Sequence, residues 1–100
     1  MTRIYLCGPM TGLPNFNYPA FNLEAARLRA LGYHIENPAE NEHPVDQDWS
    51  GYMRKAITQM LTCEAIALLP GWEKSKGARI EQYLAENIID MDVCQADQIN

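Results

Sequence analysis

Residues 65–70 read AIALLP, a run with neither a charge nor an alternation of polar and apolar side chains. A strand with one wet face alternates, so a strand that is apolar throughout has to be covered on both faces. In a chain of 100 residues that leaves few solutions, and the simplest is a sheet held between helices.

The segments on either side fit that solution. RIYLC, residues 3–7, is a short β-branched and aromatic run stopped by GP, and reads as a first strand. GPMTGLPNFNYP supplies a long structured loop. AFNLEAARLRALG then sets Phe21, Ala25, Leu28 and Leu31 at helical spacing, with Asn17 and Pro19 as start signals and Gly32 as the stop. YHIENP, residues 33–38, reads as a second strand, followed by a polar connection, AENEHPVDQD, without periodicity. Trp49 to Thr62 gives a second helix with Asp48 as its N-cap, and its apolar face runs through Trp49, Tyr52, Met53, Ala56, Ile57, Met60 and Leu61. SKGARIEQYLA, residues 75–85, gives a third helix, and IIDMDV a short last strand.

The order β, α, β, α, β, α, β predicts a parallel sheet with right-handed crossovers. The expected architecture is a single domain over residues 1–100, a small three-layer α/β/α fold of the flavodoxin-like (Rossmann-like) kind. Its sheet has about four strands in the order 2-1-3-4.

Composition narrows the function. The formal net charge is −5, and eight basic residues are spread thinly, so neither polymeric nucleic acid nor an anionic membrane surface is an expected partner. The three cysteines, Cys7, Cys63 and Cys94, show no CxxC spacing, and neither His34 nor His43 stands at a ligand interval from them. No metal or organic cofactor is expected. No stretch approaches the roughly 18 apolar residues of a membrane span, and the amino terminus is too short in its apolar part for a signal peptide. A cytoplasmic protein is expected.

In an open parallel sheet ligands collect outside the carboxyl ends of the strands, where the strand order reverses. The loops that emerge there are GPMTG and LPGWEKSKG. The second runs into a helix, whose amino terminus would stabilise a phosphate or carboxylate. Ser75 offers a hydroxyl there and Gly77 a close backbone approach, although Ser75 also reads as a plain N-cap. At about 100° per residue, Gly77, Ala78, Ile80, Leu84, Ala85 and Ile88 fall on one arc of this helix, and Glu81 lies inside it. A carboxylate aimed at a core is costly unless paired or lining a cavity. Glu81 is therefore a candidate functional acid, with a neighbour-satisfied or subunit-seam glutamate as the alternative. Tyr5 on the first strand is its candidate partner, or else a packing residue.

IYLCGPMTG followed by a helix, then ALLPGWEKSKGARIEQYLA, resembles the nucleoside 2-deoxyribosyltransferase superfamily, especially its small phage-type relatives, and is similar to the 2′-deoxynucleoside 5′-monophosphate N-glycosidases within it. The match runs from Arg3 to about Val93, and its most specific part is the pattern S-x-G-x-x-x-E-x-x-x-A at Ser75, Gly77, Glu81 and Ala85. The resemblance implies that Glu81 is the nucleophile at C1′ of the sugar and that Tyr5 orients it. It implies too that Gly8, Pro9, Met10 and Thr11, with Ser75, Gly77 and Ala78, surround the sugar and a 5′-phosphate. The implied substrate is a small nucleoside or nucleotide, in the host cytoplasm if the chain is phage-encoded. One position departs from the pattern: relatives carry an aspartate in the second helix where this chain has Ala56. The expected function is cleavage or transfer at an N-glycosidic bond. The alternatives are a nucleotide-binding module using the same pocket and an oligomeric accessory protein.

Other residues carry two readings each. Trp72 would stack on a base or cover the sheet edge. Asn17 and Tyr18 would close the first loop over a ligand, unless Asn17 is simply the helix cap. Cys7, at the end of the first strand, lies beside the proposed site but reads as core, and Arg79 reads as a solvated charge or subunit contact. The wide apolar face of the second helix is read as the seam of a homodimer or larger homo-oligomer.

Overall fold

The computed structural model describes residues 2–42 and 48–100. Part of the polar connection, with His43, lies outside the described residues. Four strands, β1 (Arg3–Cys7), β2 (His34–Glu36), β3 (Ala65–Leu68) and β4 (Asp92–Gln95), alternate with three helices, α1 (Tyr18–Ala30), α2 (Trp49–Met60) and α3 (Lys76–Tyr83). The sheet is parallel throughout and its order is β2-β1-β3-β4. β3 is buried along its whole length, as an unbroken apolar run requires.

Strand alternation sorts the side chains between the two faces. Ile4 and Leu6 of β1, with Ala65 and Ala67 of β3, pack against Phe21, Ala25 and Leu28 of α1. Tyr5 and Cys7 of β1, with Ile66 and Leu68 of β3, turn to the other side, towards Met60 of α2 and Ala78 of α3. Phe21, Leu6 and Leu28 are essentially inaccessible, and each contributes about 2 kcal/mol by leaving water.

Several boundaries differ from the sequence reading, each for a local reason. β2 is shorter than YHIENP because Asn37 Oδ1 accepts from Ala39 N at 3.1 Å and opens a 3-10 turn at Pro38. α2 ends at Met60 rather than Thr62, with Asp48 Oδ1 capping it from 2.8 Å at Gly51 N. The last strand begins four residues later than IIDMDV, because α3 continues into a π-helical turn over Leu84–Ile88. Asp90 then takes a left-handed φ of 58° before the chain enters the sheet.

Asn17 is not a side-chain cap. It has φ 61° and no capping bond; its Nδ2 donates instead to Pro9 O at 3.0 Å, which ties the end of the loop after β1 to its beginning. Asn15, Phe16 and Asn17 are three successive non-glycine residues with positive φ, a strained conformation that leaves the Phe16 ring 58% exposed. The Phe16 ring lies 5.8 Å from that of Tyr18.

Candidate active site

β1 pairs with β2 on one side and β3 on the other, so the order reverses beside it and a crevice opens at the carboxyl ends of β1 and β3. The two loops leaving that edge are in contact. Leu69 N donates to Cys7 O at 2.8 Å, and a Cβ on Gly8 would lie only 2.9 Å from Leu69 Cβ. Glycine at position 8 is thus demanded by packing. Gly77 is similarly tight, since a Cβ there would meet Met53 Sδ at 3.1 Å, and this closeness lets α2 and α3 converge at the crevice.

The buried stripe of α3 is narrower than its sequence suggests. Ala78 and Glu81, with Ala85 in the turn that follows, are buried, whereas Ile80 is only partly so and Ile88 is 64% exposed. Glu81 therefore sits at the centre of the face turned to the sheet. It is 5% exposed, and both its oxygens have partners. Tyr5 Oη donates to Oε2 at 2.8 Å and Cys7 Sγ to Oε1 at 3.5 Å; the same thiol lies 3.5 Å from Ala78 O.

The electrostatics follow from burial. Loss of water pushes Glu81 up to about 7, against the pull of the hydrogen bonds from Tyr5 and Cys7. Burial, and then the Glu81 charge, hold the phenol of Tyr5 and the thiol of Cys7 well above their ordinary ranges. Both keep their protons and act as donors. The result is a carboxylate poised between charged and neutral at physiological pH, oriented from β1.

Glu81 is reached through a narrow cavity of about 30 Å³, whose walls include Gly8, Met10 and Thr11 from the first loop, Ser75 and Gly77 from the second, and Tyr52 from α2. That volume holds little more than one water. Beside it opens a cavity of about 390 Å³ bordered by Phe16, Tyr18, Asp48, Trp49 and Tyr52, a volume ordinary for a small-molecule site. Met10, Thr11, Trp49 and Tyr52 border both. A wider groove of about 520 Å³ along the β2 edge is a different kind of surface: its Arg29 pairs with Glu40 at 2.7 Å and its His34 with Glu36 at 3.1 Å.

The sequence-derived candidates divide. Tyr5, Gly8, Met10, Thr11, Ser75, Gly77, Ala78 and Glu81 come together around the narrow cavity. Ser75 is also the cap of α3, accepting from Ala78 N at 3.2 Å. Pro9 faces Gly71 rather than the cavity: a Cβ on Gly71 would sit 3.4 Å from Pro9 Cγ. Trp72 packs against the core on the α3 side of the sheet and borders neither cavity. The indole present there is Trp49, with Lys76 Nζ 4.6 Å from its ring centre. Arg79 lies in an outer groove with Lys76, Ile80 and Tyr83.

Sequence reasoning placed Cys7 beside the site but read it as core, and it missed the α2 residues. The signal for Cys7 was its i+2 relation to Tyr5, which puts both on one face of a strand. For Trp49, Tyr52 and Met53 the signal was the wide apolar face of α2, part of which turns out to be cavity wall. Ala56, one turn beyond Tyr52, is 1% exposed.

No helix among the described residues is long and apolar enough to cross a membrane, and no three of their His, Cys, Asp or Glu side chains gather as a metal ion would require. No curated protein matches the chain. A family model described as "Domain of unknown function (DUF4406)" matches residues 2–94, a span that includes all four loop and helix segments around Glu81, and the chain belongs to that family.

Proposed function

We propose that this chain cleaves or transfers at the N-glycosidic bond of a deoxynucleoside or its 5′-monophosphate, as a member of the nucleoside 2-deoxyribosyltransferase-like superfamily with Glu81 as nucleophile. The observation that carries the reading is the buried Glu81 carboxylate held by Tyr5 at 2.8 Å at the floor of a cavity. A structural glutamate has no need of a cavity, and a surface one has no need of a buried phenol.

The chemistry follows the logic of retaining glycosidases. The Tyr5 hydrogen bond fixes Oε2, leaving Oε1, which has only a weak thiol donor, as the attacking oxygen. As the bond from C1′ to the base breaks through an oxocarbenium-like state, Glu81 forms a sugar ester that water or a second base then resolves. The narrow cavity has room only for the reacting edge of the sugar; the remainder of the substrate extends into the larger, aromatic one. The Ser75 and Thr11 hydroxyls, with the backbone of the α3 amino terminus and the first loop, supply donors for a 5′-phosphate.

A second reading is favoured by Ala56, which offers a methyl where relatives of the resembled superfamily carry an acid. Under it the same pocket binds a nucleotide without cleaving it. Incubation with a panel of nucleosides and 5′-monophosphates, with free base followed by chromatography, separates the two. Base release by wild type and none by Glu81→Gln is the expected result. Calorimetric binding without release sinks the enzyme and keeps the binding module, and neither signal removes both.

A further inference from the structure

Departure of a base from C1′ leaves an electron pair in its ring system, and a neutral base leaves readily only if one of its ring nitrogens, N7 in a purine, receives a proton. Glu81 cannot supply it while acting as nucleophile. Tyr5 and Cys7 are engaged with Glu81. Among the described residues, the groups with a transferable proton that border both the narrow cavity and the larger one are Thr11, Trp49 and Tyr52. An alcohol or an indole is a far weaker acid than a phenol.

We propose, resting on the glycosidase reading above, that Tyr52 is the acid that protonates the departing base. Its hydroxyl lies 2.7 Å from Met10 Sδ, and Met10 itself borders both cavities. The place of Tyr52 at the junction of the two cavities is where the bond between sugar and base must lie if the sugar reaches Glu81 and the base fills the aromatic cavity. Ala56, at the next turn of α2, adds only a buried methyl.

The step balances. Glu81 forms the bond to C1′, the bond to the glycosidic nitrogen breaks, its electron pair stays on the base, and the phenol proton moves to another ring nitrogen of the base, N7 in a purine, so that the base leaves neutral. Water then attacks C1′, the ester bond returns its pair to Glu81, and the water's proton goes to the tyrosinate. Burial, then the charge of Glu81, raise the phenol's pKa in the resting site. Esterification removes that charge at the stage when the tyrosinate exists.

The test compares 2′-deoxyguanosine 5′-monophosphate with its N7-methylated form, whose base departs neutral and needs no proton. For Tyr52→Phe the expected loss in kcat is about 100-fold on the unmethylated substrate and less than ~3-fold on the methylated one. The ratio is taken on one protein preparation, so a reduced folded fraction cancels. Tyr52→His, which keeps a ring donor, is expected to recover at least ~10-fold over Tyr52→Phe on the unmethylated substrate. Equal losses on both substrates, or no loss on either, overturn the proposal for Tyr52 and leave Glu81 chemistry standing. If wild type releases base neither from these substrates nor from any of the panel of nucleosides and 5′-monophosphates, or Glu81→Gln cleaves as well as wild type, the glycosidase reading fails and Tyr52 falls with it.

Discussion

The two faces of the sheet are built from the same strands and do different work. On the α1 side, Ile4, Leu6, Ala65 and Ala67 meet Phe21, Ala25 and Leu28, with no ionisable group among them. On the α3 side, the intervening residues Tyr5 and Cys7 meet Glu81, and the helix stripe that covers them is otherwise alanine. Small residues on α3 let the helix approach closely enough for a short glutamate to reach the strand. One face therefore stabilises the fold by burying hydrocarbon, and the other gives up some of that stability to hold a carboxylate out of water.

That contrast can be broken by substitution. The largest expected effect is on chemistry: Glu81→Gln should lower base release by roughly 10³-fold or more, measured by chromatography, while far-UV circular dichroism remains unchanged. The mirror experiment on the opposite face is Leu28→Ala, which should cost about 3 kcal/mol of unfolding free energy in a urea titration. It should leave kcat unaltered below the transition. If Leu28→Ala impaired catalysis as strongly as unfolding, the separation of the two faces would be wrong.

A third test uses pH. Glu81 stands near 7 in the folded chain against an ordinary 4.5, mainly through burial, so the folded state binds the proton more tightly than the unfolded one. Its contribution to stability is fully present below about pH 4.5 and is lost as pH rises through about 7. Glu81→Gln should thus be more stable than wild type at pH 8, by up to roughly 3 kcal/mol, with the difference shrinking towards acid. Under the proposed reading catalysis should run the other way and rise with pH through the same region, because only an ionised carboxylate can act as nucleophile. An unchanged difference in unfolding free energy between pH 4 and pH 8 would show that Glu81 is not held as described.

The smallest effects separate the two donors. Tyr5→Phe removes a hydrogen bond that favours the charged carboxylate and should lower kcat at neutral pH by ~10-fold. The acid limb of the pH profile should move to higher pH. Cys7→Ala should act in the same direction and more weakly, by about 3-fold, since a thiol is a poor donor. A larger effect for Cys7→Ala than for Tyr5→Phe would reverse the ranking of the two contacts.

Much of this was legible in the chain. The apolar run at 65–70 forced a doubly covered strand, and the alternation of segments gave the parallel order and the switch point. The position of Glu81 was legible because a charge in an apolar arc has a physical cost. The arc itself was drawn too wide: Ile80 and Ile88 are partly or largely exposed, because a narrow stripe of small residues suffices when helix and sheet lie close. Trp72 and Trp49 exchanged places for a similar reason. Both follow or open an element near the crevice, and only the convergence of α2 on α3 at Gly77 brings Trp49 to its wall.

Local periodicity and composition by themselves determined the elements, their order and the identity of the misplaced carboxylate, since these depend on neighbours a few residues apart. Tertiary structure alone decided which donors reach Glu81 across separations of 76 and 74 residues, and which side of α2 closes the cavity. Those contacts arise from the register of β1 against β3 and the depth to which two glycines let loop and helix settle. Neither is encoded in the spacing of residues along one segment.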